Sequence, residues 1–416
     1  MNKSTLSGLV GVVVCVLAIY ESGRVGFART DAALALGRNE TAAAERSVKL
    51  LPRDAEVHAS RGVVLQRIEA YEDACRELER AIQLRPRDYF LWTMLGVTRD
   101  LNSDQSGAIN ALKQSVELAP SYAKPRWLLG NLLLRTGEID QGFQQLRLAE
   151  QSDESMLPAV IDLAWGMSKN DSAETIARVE PRNDEAHLSL ANFLAARHQG
   201  LAALDEFRKV VTPTTVAADQ LTGRLIESRS FTEAFEVWTK VHCASCKPAS
   251  FVNGGFESDI DIDNHGFGWR LAADTVGVIV SMDTAEHASG TRSLNLDFHG
   301  NATAQTALLS QTLLVQPGKP YRISLRAMTR SFVSAAGPMV HIFDASDSRL
   351  PVLAQTSIAT TGAGWQSYAM SFLTGSNTRA VQVTIDRNQC PAGGCAAFGT
   401  LWLDSFQLDE SESPPK

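Results

Sequence analysis

Residues 54–86 read DAEVHASRGVVLQRIEAYEDACRELERAIQLRP, and the stretches that follow repeat their plan. Pro52, Pro86 and Pro120 stand 34 residues apart, as do Gly62, Gly96 and Gly130, and Ala74, Ala108 and Gly142. A fixed period of this length marks stacked helical hairpins, each too small to bury its own apolar face. Within 54–86 the inward side falls on Val57, Gly62, Leu65, Ala74, Leu78, Ala81 and Ile82 at helical spacing. Gly62 and Ala74 are small because two antiparallel helices approach closely there, and a larger side chain would force them apart. Pro86 closes the second helix, since proline lacks the N–H and its ring clashes with the preceding turn.

The flanking units are less regular. A partial repeat is expected from near Arg29, with Ala44 and Val48 in phase ahead of Pro52. Residues 155–181 read as a shortened hairpin. Residues 185–211 read as a regular one through Ala191, Ala203, Phe207 and Val210, and 217–241 as a last one packed by Ala234 and Trp238. From roughly 30 to 242 the chain resembles the tetratricopeptide repeat family. Gly62, Gly96 and Gly130 match the family's small residue in the first helix. Ala74 and Ala108 match its alanine in the second, with Gly142 a departure. Ala81, Ser115 and Ala149 match its later small residue, and Pro86 and Pro120 its closing proline, where the third unit has Glu154. The resemblance implies a surface that binds a protein partner. Trp92 and Trp127 would either line that groove or fill seams between helices.

The length of 416 residues and 44% hydrophobic content suffice for two or three domains. A formal charge of -8 argues against a nucleic-acid binder, which needs a concentrated basic surface. Behind Lys3, the run from Leu6 to Tyr20 is uncharged and nearly all apolar. It is short for a membrane span of about 20 residues, although Ser4 and Thr5 can extend it. As a signal anchor it would hold the chain in a bacterial cell membrane by a single pass, with the soluble part periplasmic or extracellular. The rival readings are a cleaved signal, for which Ala18-Ile19-Tyr20-Glu21 is a poor cleavage site, and a buried helix. Lys3 before the run and Arg24 and Arg29 after it give the charge rule little to act on.

Near residue 250 the period changes from helical to alternating. Strands are expected at SLNLDF (293–298), LLSQTLLVQ (308–316), YRISLRAMT (321–329), MVHIF (339–343), WQSYAMSFLT (365–374), AVQVTI (380–385) and LWLDSFQL (401–408). Short strands separated by Gly, Pro and Asn turns read as an antiparallel sandwich. The expected fold class is therefore an all-α tetratricopeptide-type solenoid followed by an all-β jelly roll, with an N-terminal transmembrane helix. The divisions are 1–28 anchor or signal, 29–242 repeats, 243–250 linker, 251–410 sandwich and 411–416 disordered tail.

Cys15 lies in the apolar run and Cys75 on the inward side of a repeat helix, an ordinary place for a free thiol. Cys243 and Cys246 form CxxC in the linker, and Cys390 and Cys395 bracket Pro-Ala-Gly-Gly. In an exported chain these four read as two local disulfides. The same four could bind zinc, whereas a redox role for the CxxC lacks its usual βαβ setting.

The sandwich resembles carbohydrate-binding modules with a galactose-binding-like jelly roll. The carriers are Asn253-Gly254-Gly255-Phe256-Glu257 with Gly268-Trp269, Ser289-Gly290 through Ser293-Leu294, Val315 to Tyr321 with Pro317-Gly318, Gly364-Trp365-Gln366, and Trp402 to Phe406. The resemblance implies polysaccharide binding, or a purely structural roll, and a structural Ca2+ held by Glu257 and Asp404 with carbonyls near 289–292. The plain alternative is that Asp404 caps a turn or pairs with an arginine. DIDIDN (259–264) lacks the glycine and glutamate spacing of an EF-hand loop and reads as a solvated turn. Sugar binding needs an aromatic face beside polar groups. Candidates are Trp269, Phe332, Phe343 and Trp365 with Arg330, His341, Asp344 and Gln366, of which Phe332 and Arg330, in a loop-like stretch over 330–338, are favoured.

The sequence holds no GxSxG, HExxH or Walker loop. It reads as a non-catalytic adaptor whose repeats hold a protein while the sandwich holds envelope or extracellular polysaccharide. The alternative is a protein-only assembly factor for polysaccharide synthesis or export. An aromatic-lined polar groove on the sheet favours the first, and a smooth apolar patch the second.

Overall fold

The computed structural model describes residues 3–260, 266–271, 277–300, 307–362, 364–387 and 396–411. The chain forms two compact units, Met1–Glu180 and Pro181–Lys416.

In the first unit, α1 (Lys3–Arg38) is one unbroken helix, so the apolar run and the first repeat helix are continuous. Ala28, Ala32 and Ala35 on its C-terminal part are buried where α2 (Thr41–Leu50) and α3 (Ala55–Arg67) pack against it. The 34-residue period becomes three hairpins: α3 with α4 (Tyr71–Leu84), α5 (Tyr89–Leu101) with α6 (Gln105–Leu118), and α7 (Ala123–Arg135) with α8 (Ile139–Glu150). Asp54 and Asp88, one period apart, cap α3 and α5 by accepting the N–H groups of Glu56 at 2.8 Å and Phe90 at 3.1 Å. The third unit has Tyr122 there, which packs its ring on Tyr89 at 4.8 Å instead.

The departure at Gly142 has a steric cause. A Cβ there would stand 2.6 Å from Leu134 Cδ2, so Leu134 fills the space left by the missing methyl. Where the third closing proline is absent, a single turn of 3-10 helix at Glu154–Met156 makes the connection. The shortened hairpin follows as α9 (Leu157–Met167) and α10 (Ser172–Val179).

The second unit opens with two hairpins, α11 (Asp184–Ala195) with α12 (Gly200–Arg208) and α13 (Thr215–Glu227) with α14 (Phe231–His242). Two five-stranded antiparallel sheets follow. The first has the order β1 (Arg270–Leu271), β4 (Leu309–Leu314), β9 (Ala380–Arg387), β6 (Pro338–Asp344), β7 (Val352–Ser357). The second has the order β2 (Val278–Asp283), β3 (Ser293–Gly300), β10 (Ala397–Glu410), β5 (Pro320–Ser334), β8 (Gln366–Leu373). Alternation puts Leu309, Leu313, Val340, Ile342, Val381, Val383 and Ile385 from the first sheet against Leu294, Leu296, Ile323, Leu325, Leu401 and Leu403 from the second.

The stretch expected as a linker is tied down. The Ala249 N–H bonds the Leu314 carbonyl at 3.1 Å. Buried Gln311 accepts the Val252 N–H at 3.1 Å and donates to its carbonyl at 2.9 Å. The α14 hairpin also seats directly on the sandwich. Phe235 and Trp238 meet the Phe267 ring at 5.0 and 5.9 Å. Gly266 is needed at this contact, because a Cβ there would stand 2.1 Å from the Trp238 ring. Arg229 donates to the Ala345 carbonyl.

Candidate functional site

The outer face of the first sheet carries a continuous polar row. Strand register sets Arg270 opposite Ser310, Ser310 opposite Thr384, Thr384 opposite His341, and His341 opposite Gln355. These positions alternate with the core residues, so all five side chains point away from the sandwich interior; Arg270, Ser310, His341 and Gln355 reach solvent, while Thr384 is covered, 4% exposed with its hydroxyl buried. A second row, Thr312, Gln382, Phe343 and Val352, runs alongside.

His341 is the centre of this surface. Its Nδ1 lies 2.9 Å from both carboxylate oxygens of Asp386, and its ring stacks on Phe343 at 5.6 Å. Burial pushes the Asp386 carboxyl above its usual range, opposed by the adjacent imidazole. The pairing fixes the imidazole plane and so holds Phe343 beside it. Phe343 is half-buried and lies beside His341, between Gln382 and Val352; an aromatic ring beside imidazole and amide groups is chemistry that can receive a sugar, C–H faces on the ring and hydroxyls on the polar atoms.

The structure separates the other expected ligand residues from this face. Trp269 is 3% exposed, walled by Phe251, Phe256 and Phe406, and its Nε1 donates to the Asn253 carbonyl at 3.1 Å. It is a core residue whose edge borders the cavity beside Phe251 and Asn253. Phe332 is 6% exposed and packs edge-on against Phe298 at 5.1 Å, so it is also core. The stretch expected as a loop continues strand β5 as far as Ser334. Arg330 lies on the second sheet, its guanidinium 4.9 Å over the Trp402 ring and 2.5 Å from Glu286. The Trp402 Nε1–H in turn bonds Asp283 at 2.8 Å.

Glu257 and Asp404 converge on one turn, Ala288–Thr291. Asp404 is buried and accepts the N–H groups of Ala288 at 2.8 Å and Ser289 at 2.9 Å. Glu257 accepts the Thr291 N–H at 3.0 Å and its hydroxyl at 2.6 Å, which holds its carboxyl below the usual range. Gly290, at φ +63, is required because a Cβ would stand 1.9 Å from Glu257 Oε1. The two carboxylates and the Ser289, Ser405 and Thr291 hydroxyls are hard oxygen donors of the kind calcium takes, but both carboxylates are already engaged by backbone N–H groups of Ala288, Ser289, Thr291 and Ser405. Among the described residues, no three His, Cys, Asp or Glu side chains are grouped to hold a metal.

Cys243 and Cys246 form a disulfide, S–S 2.02 Å. Cys15 and Cys75 are free thiols, Cys75 buried as expected. Cys390, Cys395 and residues 261–264 of the acidic turn lie outside the described residues.

Helical hairpins on a 34-residue period, followed by a two-sheet roll, define a tetratricopeptide-type protein with a C-terminal carbohydrate-binding-module-like domain. Residues 248–391 match the family described as "Carbohydrate binding domain". Among solved structures, one described as "CBM4 structure and function" is 16% identical, covers 39% of this chain and 100% of that one, with a TM-score of 0.30. YrrB, described as a TPR protein with an unusual peptide-binding site, is 16% identical over 51% of this chain and 89% of that one, TM-score 0.29. MamA from Desulfovibrio magneticus RS-1 is 17% identical over 45% of this chain and 92% of that one, TM-score 0.30. No curated protein matches the chain.

Proposed function

We propose that this chain is a non-catalytic adaptor of the bacterial cell membrane, with its soluble part periplasmic or extracellular. Its repeats engage a protein partner, and the outer face of its first sheet binds cell-envelope or extracellular polysaccharide. The polar side chains Arg270, Ser310, His341 and Gln355, with Phe343 beside them, carry the reading. Anchoring is supported by α1, in which Gly11–Arg38 holds a stretch long and apolar enough to cross a bilayer. Val13, Leu17 and Ile19 on it are exposed. The Cys243–Cys246 disulfide is consistent with a compartment outside the cytoplasm. A calcium ion at Glu257 and Asp404 would tie the 253–257 segment and β10 to the 288–291 turn and supply stability, with no part in ligand chemistry.

The test is glycan binding by the full chain against a polysaccharide panel, repeated for His341→Ala, Phe343→Ala and Arg330→Ala. The first two should lose binding, and Arg330→Ala, on the other sheet, should retain it. Binding by none of the panel, or loss with Arg330→Ala alone, would overturn the site.

A second reading, a protein-only assembly factor with a structural sandwich, is favoured by one observation. The outer face of the second sheet exposes Ile279 (58%), Val333 (67%) and Phe398 (54%), with Phe398 and Val333 directly opposite each other. The exposed Phe398–Val333 pair suits a protein surface.

A further inference from the structure

The polar row does not stop at the edge of the sheet. Its first member, Arg270, also lines a cleft of about 860 Å³ whose far wall is helix α13. That volume lies within the range of ligand sites. Val216, Gln220, Gly223, Arg224 and Glu227 form the wall, spaced so that they share one helix face. The side chains of Arg270, Gln220, Arg224 and Glu227 make no hydrogen bond or ion pair with any described residue. Asp219, by contrast, at the back of the cleft, is held by His242 at 2.7 Å. Four unengaged polar side chains facing one cleft therefore present two guanidinium donors, a carboxylate acceptor and an amide that is both.

From this juxtaposition we infer that the glycan site is composite. A polysaccharide lying along the row on the first sheet continues past Arg270 into the cleft, and its further sugar units are read by Gln220, Arg224 and Glu227 of the last helical hairpin. Sugar hydroxyls both donate and accept, so a chain of them can satisfy the mixed set, whereas an anionic or cationic ligand would leave half of it opposed. The cleft walls are held in place by the Phe235–Trp238–Phe267 ring contacts and the Arg229 hydrogen bond described above. This inference rests on the polysaccharide reading of the sheet and extends it to a helix outside the roll.

Gly223 offers a clean test. Apart from the backbone of α13 itself, no atom of the described residues lies within 4 Å of a Cβ built there, so a large side chain can enter the cleft. The full chain is titrated with each panel polysaccharide that it binds and with the short oligosaccharide of the same linkage. Gly223→Trp should bind the polymer about tenfold more weakly and the short oligosaccharide as wild type does. Arg224→Ala should show the same split more mildly. His341→Ala should lose both ligands. Equal polymer affinity in wild type, Gly223→Trp and Arg224→Ala, with His341→Ala still defective, would overturn the composite site and leave the sheet site standing. No glycan binding by wild type would overturn both. An unchanged melting temperature for Gly223→Trp confirms that the fold is intact.

Discussion

One substitution, Gly→Ala, should have opposite signs at two helical positions of this chain. At Gly96 in α5, a Cβ would stand 2.6 Å from Leu112 Cγ, 2.9 Å from Leu112 Cδ2 and 3.3 Å from the Ala108 carbonyl oxygen. Leu112 cannot retreat, because it is buried with Ala108, Leu129, Leu132 and Leu133 in the seam between hairpins. Forcing a methyl into such a seam costs about 1–3 kcal/mol. Alanine returns about 1 kcal/mol through its helix propensity. The net loss is on the order of 1 kcal/mol. For a unit of this size that lowers the unfolding midpoint by about 2–4 °C. At Gly223 in α13 the Cβ meets no other element among the described residues within 4 Å, so the propensity gain dominates and the midpoint should rise. Circular dichroism melts of the full chain give the sign, and hydrogen exchange at α5 and α6 locates the Gly96 effect. Because each hairpin is stabilised through its neighbours, the loosening should extend into α4 and α7. A Gly96→Ala chain that melts at or above wild type would refute the assigned packing.

Four further outcomes are expected. His58 hydrogen-bonds Glu77 at 2.6 Å, which raises the imidazole above its ordinary 6.5 against the opposing effect of burial; its stabilising contribution is complete below that value and lost as pH rises through the folded one. Burial raises Glu77, but His58 and Arg61 outweigh it and hold the carboxyl below 4.5, so its contribution is present above 4.5 and lost as pH falls through the lower folded value. Helical melts should therefore be highest between pH 4.5 and 6.5, and His58→Asn should flatten the alkaline side; an unchanged profile would count against the pair. If calcium binds at Glu257 and Asp404, chelation lowers the sandwich melting temperature by mass action and Asp404→Ala abolishes that response, whereas calorimetry without calcium uptake by the folded chain removes the ion. Fractionation should find the full-length chain in the membrane, and a soluble cytoplasmic chain would dismiss the anchor. Ala108→Trp should unfold the second hairpin, since Ala108 is fully buried.

How far each feature was legible depends on how many strands or helices define it. The hairpins were readable because their spacing constraint is local and recurs: Gly62, Gly96 and Gly130 each meet a leucine of the partner helix at the same step of the period. The strands that alternate strongly were readable for the same reason. Strand β7 was not, because Val352–Ser357 lies at a sheet edge, with every side chain partly or fully exposed and no buried set to betray it. His341 and Phe343 could be proposed from one strand. Their partners Arg270, Ser310, Thr384 and Gln355 come from four others, and register between strands far apart in sequence leaves no local mark.

The Arg330 and Phe332 pair shows the limit most clearly. Two residues apart in a regular strand, they should share a face, yet Arg330 points outward and Phe332 is buried. Between them Ser331 adopts φ +51, and opposite lies Gly399 at φ +101. The register between β5 and β10 slips at this point, from Thr400 opposite Arg330 to Phe398 opposite Val333. This β-bulge reverses the alternation and turns Phe332 onto Phe298. It requires glycine on the partner strand, since a Cβ at Gly399 would stand 2.3 Å from the Ser331 carbonyl oxygen. The residue that decides where Phe332 points thus lies on another strand, and its effect becomes visible only once β5 and β10 are paired.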